Sequence, residues 1–365
     1  MAEKIRIALL YKDLGLGGVQ RKMVDIVNAL DARDNIEVYI FLTNRQGEYL
    51  EKIPRRTSVI DLNVSLRPPQ VFTLPVKLAK VLNKHKPQVV LAMMDTFGCS
   101  AVLARKMLAS NKPAIFISQD IHATGFFRQR PLPNLRKALV RTLYPQADMV
   151  LSVSKSVTED LVRNYRVPKQ NITLIKNWTS VKKQNISISK KTIDVIYIGR
   201  FAPEKDLPLL LEGFSLLRKR RPSSTLSLVG YGEEEASLRK KIDKLKITNQ
   251  VSLPGFTFDT NKFLKISRVF VMTSYNEGIP MAMLEAMAMG VPVISRTFPG
   301  ISEIIQHKKT GFIANSADSI SECMYYLLTN SQEAERVAQS ALEYVKRNYS
   351  QKNLETFVTT LLTQS

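Results

Sequence analysis

A chain of 365 residues exceeds one average domain and suits two, of about 150 to 200 residues each, with separate cores. With 44% hydrophobic residues, 15 glycines and 17 prolines it is neither disordered nor fibrous; Cys99 and Cys323 form no CxxC pair, and no run approaches the roughly eighteen apolar residues of a membrane span. The net charge of +21 is uneven, since residues 1–180 hold 28 Lys+Arg against 14 Asp+Glu, and this half calls for an acidic partner such as anionic lipid, a pyrophosphate-bearing acceptor or nucleic acid.

The run KIRIALLY meets Lys12 and Asp13 too soon for a signal peptide, and both cysteines read as reduced core thiols, so a soluble cytoplasmic protein is expected. Residues 5–11 predict a buried strand. Asp13-Leu-Gly-Leu-Gly-Gly18 then forms a glycine-rich turn into a helix with apolar Met23, Ile26, Val27 and Leu30. Its spacing is not the GxGxxG fingerprint. Further strands are expected at 38–42, 59–62, 89–93, 114–118 and 149–153, with amphipathic helical patterns between them, which means a parallel sheet. Ligands of such sheets bind beyond the strands' carboxyl ends, so Asp95 and the segment SQDIH ending at His122 lie on a candidate rim. His85 and His307 stand beside lysines and read as solvated surface residues.

After His122, the stretch GFFRQRPLPNLRKALVRTLY interleaves Phe126 and Phe127, then Arg128, Arg130, Arg136, Lys137 and Arg141, with leucines. Residues 66–86, with Arg67, Phe72, Lys77, Lys80, Lys84 and Lys86, have similar character. Amphipathic basic helices of this kind rest on anionic membranes, although each could also be a solvated face with its leucines in the core. Residues 181–191, VKKQNISISKK, lack apolar periodicity and read as a linker. The expected division is 1–178 for the first domain, 179–192 for the linker, 193–349 for the second domain and 350–365 for a C-terminal helix.

In the second half, DVIYIGR is a strand running into a loop, which puts Arg200 and Lys205 at a strand's carboxyl end where two cations can offset a diphosphate. The stretch VFVMTSYNEGIPMAMLEAMAMGVPVIS, residues 269–295, reads as strand, loop, helix and strand. Glu277 lies in the loop and Glu285 two turns along the helix, so both carboxylates can face one ligand. Between them the amides of Met281 and Ala282 open the helix, and a helix N-terminus attracts phosphate. An anion site flanked by two acidic acceptors suits a nucleotide-sugar.

Glu-Gly-Ile-Pro, Leu-Glu-Ala-Met-Ala and Gly-Val-Pro-Val-Ile together resemble the signature of the family 4 retaining glycosyltransferases. That resemblance implies an α/β fold of GT-B architecture, two Rossmann-like parallel-sheet domains facing across a cleft. It implies that Glu277 contacts the transferred sugar and Glu285 the ribose hydroxyls. By the same resemblance Gly17 and Gly18 let the backbone approach the donor diphosphate, His122 contacts the sugar, Arg200 and Lys205 bind the diphosphate, and Phe256 and Thr257 lie along the base. The family's usual glycine after the lysine is Asp206 here. LVGYG at 228–232 matches a turn that is mostly structural.

The function so implied is transfer of a sugar, with retention, from a nucleotide-sugar (a UDP-sugar favoured) to a glycan or lipid-linked acceptor of envelope polysaccharide or lipopolysaccharide. No cofactor or metal is expected, since no Asp-x-Asp motif occurs. The place of action is the inner face of the cytoplasmic membrane. Competing classes are a nucleotide-sugar epimerase of similar fold and a non-catalytic basic protein binding membrane or nucleic acid. Nucleic acid is not expected as a partner, because no known module for it is present.

Overall fold

The computed structural model describes residues 4–127, 131–180 and 191–363, which fall into two compact units. One comprises Met1–Asn177 with Lys352–Ser365, the other Trp178–Gln351. The sequence puts the first division after residue 178 and starts the C-terminal helix at 350; most of the expected linker, 181–190, lies outside the described residues.

The first unit is built on seven parallel strands: β1 (Ile5–Tyr11), β2 (Ile36–Leu42), β3 (Ser58–Asp61), β4 (Val89–Met93), β5 (Ala114–Gln119), β6 (Met149–Ser152) and β7 (Ile172–Leu174). They are ordered β3-β2-β1-β4-β5-β6-β7. The central strands are covered on both faces and so read as continuous apolar runs, Val89 to Met93 being wholly buried. Helices Leu74–His85, Met94–Lys106 and Pro133–Leu143 form a layer in which the middle one touches both neighbours. Helix Gly18–Asp31 instead packs against the C-terminal helix Lys352–Leu362, which thus belongs to the first unit. Asn353 Nδ2 donates to the Asn177 carbonyl at 3.0 Å and ties that helix to the end of the unit's main segment.

Six parallel strands make the second sheet: β8 (Ile193–Ile198), β9 (Leu226–Val229), β10 (Val251–Gly255), β11 (Ser267–Met272), β12 (Val293–Ser295) and β13 (Phe312–Ile313). Their order is β10-β9-β8-β11-β12-β13. One core gathers Val195, Tyr197, Phe201, Leu210, Phe214 and Leu228 beneath helices Leu207–Arg220 and Ala317–Thr329. Short edge strands β7 and β13 escape the sequence pattern, because two or three residues carry no legible period. Among the described residues no helix is long and apolar enough to cross a membrane.

Two corrections concern side chains. His85 is not a solvated surface group: its ring lies 4.9 Å from that of Tyr39 and 6.1 Å from Phe41, and burial lowers its pKa. Phe127 is not a surface aromatic either, being buried edge-on against Tyr165 at 5.7 Å.

Candidate active site

Each sheet reverses its strand order once, between β1 and β4 in the first unit and between β8 and β11 in the second. Beyond the carboxyl ends at such a point the flanking loops diverge and leave a crevice, the usual ligand site of open α/β sheets. Residues that follow β8 and β11 include three that the sequence singles out, Arg200, Lys205 and Glu277. Gly199, Arg200 and Lys205 follow β8; Ser274, Asn276 and Glu277 follow β11 and lead into helix Met281–Ala288.

Backbone packing shapes the β8 loop. Phe201 N donates to the Tyr231 carbonyl at 2.9 Å, and Glu234 N to that of Phe201 at 3.1 Å. A Cβ at Gly230, where φ is 142°, would lie 2.0 Å from the Gly199 carbonyl oxygen, and one at Gly232 would lie 2.2 Å from that of Phe201. Glycine is the residue that permits these approaches. Tyr197 OH donates to the Arg200 carbonyl at 3.0 Å from below. The β11 loop completes the frame, with Thr273 Oγ1 donating to the Lys205 carbonyl at 2.8 Å and Tyr275 N to that of Glu204 at 3.2 Å.

On this frame Lys205 Nζ meets Glu277 Oε1, so two stretches 72 residues apart in sequence come together as an ion pair. Arg200 Nη2 donates to Glu204 Oε1 at 2.6 Å. Helix Met281–Ala288 starts after Pro280 with no side-chain cap and no acid in its first turn. Glu285 is almost wholly buried, and its Oε2 accepts from Thr260 Oγ1 at 2.8 Å. Thr260 closes the loop that carries Phe256 and Thr257, and thereby ties that loop to Glu285. Phe256 stands edge-on to Tyr231 at 6.5 Å and to Phe258 at 4.8 Å. Ser274 Oγ and Asn276 Oδ1, both buried, have no hydrogen-bond partner. Glu277 and Glu285 are therefore held by different groups, Lys205 and Thr260.

In the first unit, Gly17 and Gly18 follow β1 and open helix Gly18–Asp31. Asp13 Oδ1 shapes this turn, accepting from Gly15 N and Gln20 Nε2 at 3.1 Å each. His122 lies beyond β5, its Nδ1 3.4 Å from Asp160 Oδ2 but not aligned as a hydrogen bond. Asp160 accepts from Thr124 N at 3.0 Å, Thr124 Oγ1 at 2.6 Å and Asn164 Nδ2 at 2.7 Å, and so holds the helix that follows the histidine.

A buried group missed in the sequence sits behind the same rim. Lys22 Nζ donates to Asp120 Oδ1 at 2.5 Å and Ser118 Oγ at 3.0 Å, and lies 4.9 Å from the centre of the Phe357 ring. A lysine inside an amphipathic helix reads as solvated; only its position four after Gly18 could have drawn attention to it.

The basic cluster splits. Arg128 and Arg130 lie outside the described residues. Lys137 and Arg141 are exposed. Arg136 is not a free surface cation, since its Nη1 donates to Asp95 Oδ2 at 2.9 Å and Thr96 Oγ1 at 3.1 Å and its Nε to the Pro131 carbonyl at 3.1 Å. Burial raises the Asp95 pKa and Arg136 opposes the rise, so this rim carboxylate is the anchor of an arginine. Among the described residues no group of three His, Cys, Asp or Glu side chains could hold a metal ion.

Comparison with known proteins adds the family. Residues 16–183 match the model of Glycosyltransferase Family 4, and residues 179–344 that of Glycosyl transferases group 1. The chain is 25% identical to the lipopolysaccharide core biosynthesis glycosyltransferase LpsE of Rhizobium meliloti, over 83% of this chain and 82% of that one. It is 23% identical to the N-acetylgalactosamine-N,N'-diacetylbacillosaminyl-diphospho-undecaprenol 4-alpha-N-acetylgalactosaminyltransferase of Campylobacter jejuni, over 79% and 80%. The fold is that of Anabaena Alr3699/HepE, whose crystal structure holds UDP and glucose: TM-score 0.79 and 17% identity, covering 98% of this chain and 99% of that one. Spanned from residue 16 to 344 by two glycosyltransferase models in succession, the chain belongs to the family 4-like glycosyltransferases of GT-B architecture and is a transferase.

Proposed function

We propose that the chain moves a sugar, with retention, from a UDP-sugar to a glycan or lipid-linked acceptor of envelope polysaccharide or lipopolysaccharide. The observation that carries this is the meeting of Lys205 with Glu277 at the strand-order reversal of the second unit, in the loop that leads to the uncapped start of helix Met281–Ala288. A diphosphate there draws Lys205 from Glu277 and Arg200 from Glu204, and accepts hydrogen bonds from the amides of Met281 and Ala282. Glu277, relieved of the lysine, accepts from sugar hydroxyls. Glu285 accepts from the ribose hydroxyls, and the loop of Phe256 and Thr257, which Thr260 ties to Glu285, lies along the base. Gly17, Gly18 and His122 keep the donor and sugar contacts that the resemblance gives them.

The bond from the anomeric carbon to the UDP oxygen breaks as the acceptor hydroxyl adds on the same face, and the leaving phosphate oxygen takes its proton. The cations and amides offset the charge that builds up on that oxygen. No metal or side-chain nucleophile takes part. The relatives' printed activities support a lipid-linked or polysaccharide acceptor, and the UDP in the structural neighbour supports the base. The protein acts in the cytoplasm at the inner face of the membrane.

Calorimetric titration of UDP and GDP with chelator present, on the natural protein and on Glu285→Ala, tests the donor site. UDP is expected to bind more tightly than GDP, and Glu285→Ala to lose at least about tenfold, the loss of hydrogen bonds to a charged group being worth roughly 1.5 to 3 kcal/mol. Binding of neither nucleotide, or a Glu285→Ala protein that binds UDP unchanged, overturns the assignment.

A further inference from the structure

Two stretches of the first unit, residues 62–94 and 121–147, contain no aspartate or glutamate in a chain that has 32, and each carries five lysines and arginines. Of the eleven large apolar residues exposed among the described residues, six fall in these stretches: Leu66, Phe72, Val76, Leu132, Leu135 and Leu139. Their fractional exposures reach 60% at Phe72, 55% at Leu132 and 47% at Val76. Acid depletion and apolar exposure are independent signals, and they coincide.

The fold places the two stretches on one side of the sheet. Helix Leu74–His85 carries the chain from β3 back to β4, and helix Pro133–Leu143 from beyond β5 back to β6. Both return against parallel strands, so both begin at the sheet's carboxyl edge, the edge that also bears His122. Each packs against helix Met94–Lys106 and so flanks it. Helix Leu74–His85 buries Leu74, Pro75, Leu78 and Leu82 and turns Val76, Lys80 and Lys84 outward. Helix Pro133–Leu143 buries only Val140 and Leu143 and turns out Leu135, Lys137, Leu139 and Arg141.

We propose that this face, with Phe72 and Val76 on one flank and Leu132, Leu135 and Leu139 on the other, seats the protein on an anionic lipid bilayer, apolar side chains entering the headgroup boundary and the surrounding cations meeting lipid phosphates. A second copy of the chain would bring two sets of cations together and is disfavoured by repulsion. Nucleic acid would use the cations but gain nothing from three exposed leucines. The inference rests on the lipid-linked reading of the acceptor and names the surface that would meet it. Leu66 to Phe72 and Leu132 stand at the edge where an acceptor held in the bilayer would reach the rim.

The test is flotation of the full-length protein with vesicles of phosphatidylcholine alone or mixed with phosphatidylglycerol, at low and physiological salt. Flotation is expected with the anionic vesicles only. Leu135→Ser with Leu139→Ser, and Phe72→Ser with Val76→Ser, are each expected to weaken it at least about tenfold. Lys80→Gln with Lys84→Gln is expected to weaken it roughly fivefold per cation removed. All these side chains are exposed, so folding is unaffected, and unchanged UDP affinity verifies it. Equal flotation on neutral vesicles, or indifference to both apolar pairs, overturns the proposal. So does tighter binding to duplex DNA that depends on the lysines and not on the leucines. UDP binding without flotation refutes this surface and leaves the donor site standing; flotation without UDP binding does the reverse.

Discussion

Cations are used differently in the two units. At the rim of the second, each arginine or lysine faces a carboxylate: Arg200 with Glu204, Lys205 with Glu277, Arg296 with Asp206 at 2.6 Å. On the outer helices of the first, Lys80, Lys84, Lys137 and Arg141 stand in stretches with no acid at all. A paired cation holds one position and acts on one atom, whereas an unbalanced set acts through its summed field, which depends little on any single member. Substitutions should therefore have large, non-additive effects in the first case and small, additive ones in the second.

Lys22 is where that division would break, being a buried and paired cation inside the first unit. Lys22→Met keeps the packing of the stem but leaves the Asp120 carboxylate buried without its counter-charge, and removing one member of such a pair costs about 3 to 5 kcal/mol. Hydrogen exchange along helix Gly18–Asp31 is expected to accelerate accordingly. A loss below about 1 kcal/mol would mean that solvent reaches the pair.

At the second unit's rim, Lys205→Ala removes the partner of Glu277 and, on the function proposed above, a neutralising group for the leaving diphosphate. Removal of one charge-stabilising group typically costs roughly 3 to 4 kcal/mol at the transition state, so turnover is expected to fall at least about a hundredfold. Arg200→Ala should fall by a similar factor. If either protein, correctly folded, turns over within about tenfold of the natural one, positional charge is not what this rim supplies.

The same contrast explains what could be read in the sequence. Alternating strands and helices were legible along both units because parallel strands covered on both faces are apolar throughout and their helices carry a 3.6-residue period. The placement of Arg200 and Lys205 after β8, and of Glu277 and Glu285 after β11, was legible because each lies in a short motif that follows a strand. Lys22 with Asp120, and Arg136 with Asp95, were not, since the partners are 98 and 41 residues apart and periodicity says nothing of which charge a helix turns inward. Thr260 escaped for the same reason, its role resting on a carboxylate 25 residues away. Composition showed that the first half is basic. Only the fold shows that its exposed leucines and cations share one layer.

Asp206 makes the smallest test and separates charge from backbone. Directly after Lys205 it adopts φ 44° and ψ 50°, the left-handed conformation in which glycine is at ease and aspartate tolerated. Its carboxylate also meets Arg296 Nη1, with both side chains about a third exposed, so the pair is worth at most about 1 kcal/mol. Asp206→Gly gives up that pair and frees the unfolded chain, but relieves the backbone, and should lie within about 1 kcal/mol of the natural protein. Asp206→Ala loses the pair and keeps the strain, at a cost of about 1 to 2 kcal/mol. Unfolding midpoints of the three proteins are expected in the order Asp, Gly, Ala or Gly, Asp, Ala. If alanine is instead as stable as glycine, the left-handed conformation at position 206 carries no strain.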